Sequence, residues 1–141
     1  MRLDVFGDGV KRQELEDYIT QNNLQEHITL HGNVTADTIK EVHKTAHFMM
    51  LPSKSEGWPK VVAEAMFWGS LPIVTKISCV PYMLEEGNRG ILIEPNVENA
   101  VAEIENVLKS PKNYQEKVAN AIAWSRMYTL DKFESEIKSL L

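Results

Sequence analysis

The sequence has one cysteine, Cys79, so no disulfide can form within the chain. That excludes the cross-linked architecture of small secreted domains and fits a reducing compartment. A single free cysteine reads as a small buried hydrophobe. No apolar run approaches the roughly 20 residues that a membrane-spanning helix needs, and the first residues lack a secretory pattern. There is no excess of positive charge: 15 Lys and Arg stand against 20 Asp and Glu, a net charge of −5. A general nucleic-acid binder carries a basic surface for many phosphates, so that class is excluded. A single nucleotide, which needs only a local positive pocket, is not. The four histidines are scattered, and no His/Cys group has metal-ligand spacing, so no metal site is expected. His31 and His43 stand alone and read as surface or turn residues. Internal repeats, low-complexity runs and linkers are missing as well.

What is present is an alternation of strands and helices. The chain has 141 residues, 43% of them hydrophobic, enough for one unit with its own core. Leu3–Phe6 reads as a buried strand, followed by a tight Gly7-Asp8-Gly9 turn. A helix is predicted from Lys11 to Asn22, with Leu15, Tyr18 and Ile19 as its apolar stripe. Strand, glycine turn and helix suggest a dinucleotide fingerprint, but the third glycine position holds Arg12, which argues against a nicotinamide site. Ile28–Leu30 is the next strand, ending in His31-Gly32-Asn33. Thr35 is placed to cap a helix running to Ala46, with Ile39 and Val42 inward. His47–Leu51 follows as a short apolar strand, broken by Pro52.

Beyond it, Leu71–Thr75 is a strand, Pro81–Glu86 a short helix, Gly87–Gly90 a turn and Ile91–Ile93 a strand. Asn96 is placed to cap a helix over Val97–Leu108 with Val101, Ile104 and Leu108 inward. Ser110-Pro111 starts another helix toward Trp124, and a last helix over Asp131–Leu141 carries Phe133, Ile137, Leu140 and Leu141. The expected fold class is α/β, a Rossmann-like parallel sheet with helices on both faces, its ligand at the carboxyl ends of the strands.

The stretch Ser55–Met66 is where chemistry concentrates. Pro59 suits a first helical residue, because its φ is preset and its missing N–H is not needed there. Gly69 is a natural stop. A helix starting just after a strand presents unpaired N–H groups and the positive end of its dipole, which is an anion site. Val61, Val62, Ala65 and Met66 share an apolar face, and Lys60, Glu64 and Trp68 share another. Glu56 and Glu64 bracket the junction with seven residues between them. By spacing alone, Glu64 also reads as an ordinary partner of Lys60.

Glu56, seven residues and Glu64, set in Pro-Ser-Lys-Ser-Glu-Gly-Trp-Pro, Glu-Ala-Met and Gly-Ser-Leu-Pro-Ile-Val, resemble the signature of retaining glycosyltransferases of the two-Rossmann-domain (GT-B) architecture. The similarity is to group 1, family 4. It extends to Phe6-Gly7-Asp8-Gly9, Leu30-His31-Gly32-Asn33-Val34 and Asn88-Arg89-Gly90-Ile91-Leu92-Ile93-Glu94-Pro95. The resemblance implies the donor-binding domain of an enzyme that moves a sugar from a nucleotide diphosphate sugar to a glycan or lipid-linked acceptor, with retention and without a metal or further cofactor.

The resemblance also implies roles. Glu56 takes the catalytic position against the donor sugar's hydroxyls. Glu64 holds the ribose diol, since a carboxylate has two acceptor oxygens. Backbone at Gly57, Trp58, Pro59, Lys60 and Val61 faces the phosphates, with Lys60 adding charge. Gly32 and Asn33 help read the base, and Ser53 touches a phosphate or bonds its own backbone. Trp58 walls the sugar pocket or lids its own helix. Trp68 is assigned to packing, and Arg89 is left out of the site.

Relatives of this type open with a further strand, a Gly-Arg pair and a lysine, preceded by an acceptor-binding domain. None of these is in the sequence. Residues 1–141 are therefore expected to be a single, partial nucleotide-sugar-binding domain, inactive alone and dependent on that N-terminal domain. The strands Leu3–Phe6 and His47–Leu51 should pair directly, leave a gap, or recruit a second copy as a homo-oligomer. The expected location is the cytoplasm, peripheral to the membrane in a full-length protein. A non-catalytic nucleotide-sugar or partner-binding module remains the alternative, as does another GT-B enzyme such as a nucleotide-sugar epimerase.

Overall fold

The computed structural model describes residues 1–140. The chain divides into two compact units, Met1–Ile39 and Lys40 onward.

In the first unit, β1 (Leu3–Phe6) and β2 (Ile28–Gly32) form a parallel pair, joined by α1 (Arg12–Gln21). The register runs from Leu3 opposite Ile28 to Phe6 opposite Gly32, with an irregularity between Val5 and Phe6. Past it, the Gly7 amide donates to the Gly32 carbonyl at 2.8 Å. Both glycines have positive φ, 110° and 70°, a region open to glycine at no steric cost. Of the predicted stripe of α1, only Ile19 is buried, while Leu15 and Tyr18 are exposed. A two-stranded sheet is too narrow to cover a full helical stripe. Leu15 instead joins Val5, Phe6 and Leu30 in the wall of an open cleft of about 260 Å³.

α2 (Ala36–Thr45) crosses the division between the units. Thr35 caps it as expected, its Oγ accepting from the Thr38 amide at 3.2 Å.

The second unit holds β3 (Phe48–Leu51), α3 (Lys60–Trp68), β4 (Leu71–Thr75), α4 (Val80–Met83), β5 (Ile91–Ile93), α5 (Val97–Leu108), α6 (Pro111–Ser125) and α7 (Leu130–Leu140). The strands form a parallel sheet of order β3-β4-β5. Leu71–Thr75 is buried throughout, as a central parallel strand covered on both faces must be. On one face Val62 and Met66 of α3 pack with Val74, Val80, Met83, Leu84, Ala121 and Trp124. On the other, Leu71, Ile73, Ile91 and Ile93 pack with Val107. Each fully buried aliphatic side chain stabilises the fold by about 1.5–3 kcal/mol. Among the described residues β1 pairs with β2, and β3 with β4.

Two expectations need correction. α5 turns Ala100, Ile104 and Val107 inward, while Val101 and Leu108 are exposed. Ile104 is inward as predicted, while Ala100 and Val107 take the places predicted for Val101 and Leu108. The helix predicted over Pro81–Glu86 is shorter, because Glu85 and Glu86 adopt positive φ (48° and 51°), which a helix cannot continue. Leu141 lies outside the described residues, and the other apolar residues predicted for the last helix, Phe133, Ile137 and Leu140, are exposed. No helix among the described residues is long and apolar enough to cross a membrane.

Candidate functional site

The three parallel strands of the second unit place three loops at one sheet edge: Pro52–Pro59 after β3, Lys76–Cys79 after β4 and Glu94–Asn96 after β5. The first carries most of the predicted site. Pro59 is buried and occupies the N-cap of α3 with an extended backbone (φ −74°, ψ 94°), so the helix begins one residue later than predicted. Proline has no side-chain acceptor, so it cannot cap the helix as Ser, Thr, Asp or Asn would. The first turn also contains no acidic residue. The Val62 amide bonds back to the Pro59 carbonyl at 3.0 Å. Among the described residues, the Lys60 and Val61 amides have no acceptor. Unpaired N–H groups at the positive end of a helix favour an anion there. Gly69 ends the helix in the left-handed region (φ 93°), with the Ser70 amide returning to the Ala65 carbonyl at 2.9 Å.

The side chains sort by helical phase. Val62, Ala65 and Met66 are buried, and Val61 packs at their edge. Lys60 and Glu64 are exposed. They form no ion pair with each other, unlike the i,i+4 pairs of other helices such as Lys109–Glu105 and Lys138–Glu134. The plain pairing open to Glu64 from spacing alone is thus not made among the described residues. Glu56 and Ser53 are half-buried in the loop, and Gly57 is exposed. Trp58 is 51% exposed, unusual for a tryptophan. Trp68 packs as expected, edge-on to Phe67 at 5.0 Å between centroids. The ammonium groups of Lys40 and Lys44 each stand 5.0 Å from the centre of its indole. Gly32 and Asn33 belong to the first unit, at the carboxyl end of β2, with Gly32 buried and Asn33 exposed.

Residues 1–124 match the family described as glycosyl transferases group 1. The chain belongs to that family. An uncharacterized glycosyltransferase of Methanocaldococcus jannaschii is 30% identical over 99 residues, which are 70% of this chain and 28% of that protein. The pneumococcal O-GlcNAc transferase GtfA, solved with UDP and GlcNAc, superposes with a TM-score of 0.84 at 17% identity, covering 99% of this chain and 29% of that one. Anabaena HepE, solved with UDP-glucose, gives 0.81 at 22% identity, covering 99% and 41%. The chain spans well under half the length of these relatives, and its α/β fold is the Rossmann-like fold of a GT-B half.

Sequence reasoning missed two neighbours of the junction in this glycosyltransferase-family chain. The Gly57 carbonyl accepts from the Cys79 thiol at 2.8 Å and from the Ser78 hydroxyl at 3.4 Å. The loop after β4 therefore ties down the loop that carries Glu56. Cys79 is half-buried and bonded, where a plain buried hydrophobe was expected. His43 is the second. Expected at the surface or in a turn, it is only 5% exposed, and its Nε2 has no hydrogen-bond partner among the described residues. An unsatisfied buried polar group costs about 1–3 kcal/mol. Burial pushes the imidazole below its ordinary pKa, and the Glu64 carboxylate opposes that fall. No signal in the sequence separates His43 from a solvent-facing histidine, because burial depends on what packs over α2. His31 does lie at the surface, stacked on Phe6 at 4.7 Å with its Nε2 2.6 Å from Asp4 Oδ1. That contact holds the Asp4 carboxyl below its ordinary pKa. Among the described residues no three His, Cys, Asp or Glu side chains gather as a metal site.

Proposed function

We propose that this chain is the donor-binding half of a retaining glycosyltransferase that uses a nucleotide diphosphate sugar. The observation that supports it most is the uncapped start of α3, with free amides at Lys60 and Val61 between Glu56 and Glu64. The diphosphate sits at those amides, where the helix dipole and the Lys60 ammonium stabilise the charge that grows as the leaving group departs. Glu64 accepts hydrogen bonds from both ribose hydroxyls. Glu56 accepts from the donor sugar's hydroxyls, and Trp58 walls the sugar. Ser53 contributes at the phosphate.

The bond from the anomeric carbon to the phosphate oxygen breaks, and the acceptor hydroxyl forms its new bond on the same face. Its proton passes to the departing phosphate oxygen, so Glu56 and Glu64 are not an acid and base pair of the glycosidase kind. The acceptor, a glycan or lipid-linked sugar, is held by a separate N-terminal domain, on the cytoplasmic side and at the membrane periphery. The chain alone binds the donor without transferring it.

Calorimetric titration of the chain and of Glu64→Ala with UDP, GDP and ADP tests this. One nucleotide should bind the chain and lose affinity for the variant. Equal binding by both removes Glu64 from the ribose, and no binding by the chain overturns the donor site.

A further inference from the structure

Within that donor-site reading, on which this rests, we propose that His43 is a positioning residue for Glu64, its Nε2, unpartnered among the described residues here, donating to the carboxylate when that carboxylate turns to hold the ribose diol. One observation brings the two helices side by side, and a second leaves a donor free. The end of α2 lies along the polar face of α3: Lys40 and Lys44, one helical turn apart, both put their ammonium groups 5.0 Å from the centre of the Trp68 indole. His43 lies beside Lys44 on that turn, and Glu64 is one turn before Trp68 on α3. Independently, the imidazole Nε2 is buried and lacks a partner among the described residues.

The charges around the pair are few. On its own helix, Lys40 and Lys44 turn to the indole, and Lys44 also pairs with Glu41 at 2.7 Å. From α3, Glu64 is the group whose charge acts on the imidazole, and Lys60 stands one turn before it. A carboxylate on an exposed helix face samples several rotamers. A ribose diol needs one of them, with both oxygens turned to the two hydroxyls. A neutral imidazole protonated on Nε2 supplies one fixed donor from the buried side. It selects the carboxylate orientation without touching the nucleotide.

The test uses the full chain and the 2′,3′-dideoxy counterparts of UDP, GDP and ADP. For whichever nucleotide binds, the wild type should prefer the diol form by roughly tenfold or more, as expected for hydrogen bonds to a charged group. His43→Phe should reduce that preference several-fold and leave affinity for the dideoxy form unchanged. His43→Gln, whose amide nitrogen sits near the place of Nε2, should restore it, and His43→Asn should not. If His43→Phe does not fold, the Gln and Asn pair decides alone. An unchanged preference in the variants overturns the role of His43 and leaves the donor site standing. A wild type that binds both forms equally, or neither, overturns the donor reading and this role with it.

Discussion

Two helices of the second unit start at the same sheet edge and solve the same problem differently. α5, after β5, is capped: the Asn96 side chain accepts from the Asn99 amide at 2.8 Å, and Glu98 lies in its first turn. α3, after β3, has proline at the cap, no acidic residue in its first turn and free amides at Lys60 and Val61. The capped start meets its third amide with a side chain and sets a carboxylate against the helix dipole, which adds local stability. The start of α3 has neither a side-chain cap nor a first-turn acid, so no group of its own competes with an anion there. Under the proposed function, the difference separates a helix that serves only the fold from one that serves a ligand.

The largest expected effect breaks the ligand side. Glu64→Ala should weaken binding of the preferred nucleotide by about 30-fold, near 2 kcal/mol, because it removes two hydrogen bonds to a charged acceptor. Calorimetry reads this, and a loss below about threefold sinks the assignment. The capped helix should respond in the opposite way. Asn96→Ala should lower stability by about 1 kcal/mol in denaturant unfolding and leave nucleotide affinity alone. An affinity change there would mean that the two helix starts are not functionally separate.

Exchanging the roles sharpens the contrast. Pro59→Ser places an acceptor at the start of α3, and nucleotide affinity should fall a few-fold as the hydroxyl competes for the amides. Unaltered affinity would show that those amides do not meet the phosphate. The smallest effect is a pH dependence from His43. Its folded-state pKa lies below the ordinary 6.5, so the unfolded chain takes up the proton first as pH falls. Stability is then level above about pH 6.5 and declines below it. His43→Phe should flatten that limb in thermal melts across roughly pH 5–7, and an undiminished limb would assign it to other groups.

Much of the fold was legible because its signals are local. β4 and β5 fall at the predicted residues, Asn96 caps the helix it was expected to cap, Ser110-Pro111 starts α6, and Gly69 stops α3. The junction from Ser53 to Glu64 was legible as well, since it is contiguous in the chain. Less legible was anything set by a neighbour distant in sequence. The hydrogen bonds from Ser78 and Cys79 to Gly57 join residues more than twenty positions apart. On α5 the sheet face keeps Ile104 but selects Ala100 and Val107 over their neighbours Val101 and Leu108, an almost equivalent stripe.

By itself, the sequence determined the order of strands and helices, many of their ends, and the placement of two glutamates around a helix start without a side-chain cap. These follow from backbone preferences and periodicity within a few residues. Tertiary structure decided which groups lost water. It buried His43 without a partner for Nε2 among the described residues, left Trp58 exposed, and divided the strands into β1-β2 and β3-β4-β5. Burial and strand pairing depend on segments brought together across the chain, and no local preference encodes them.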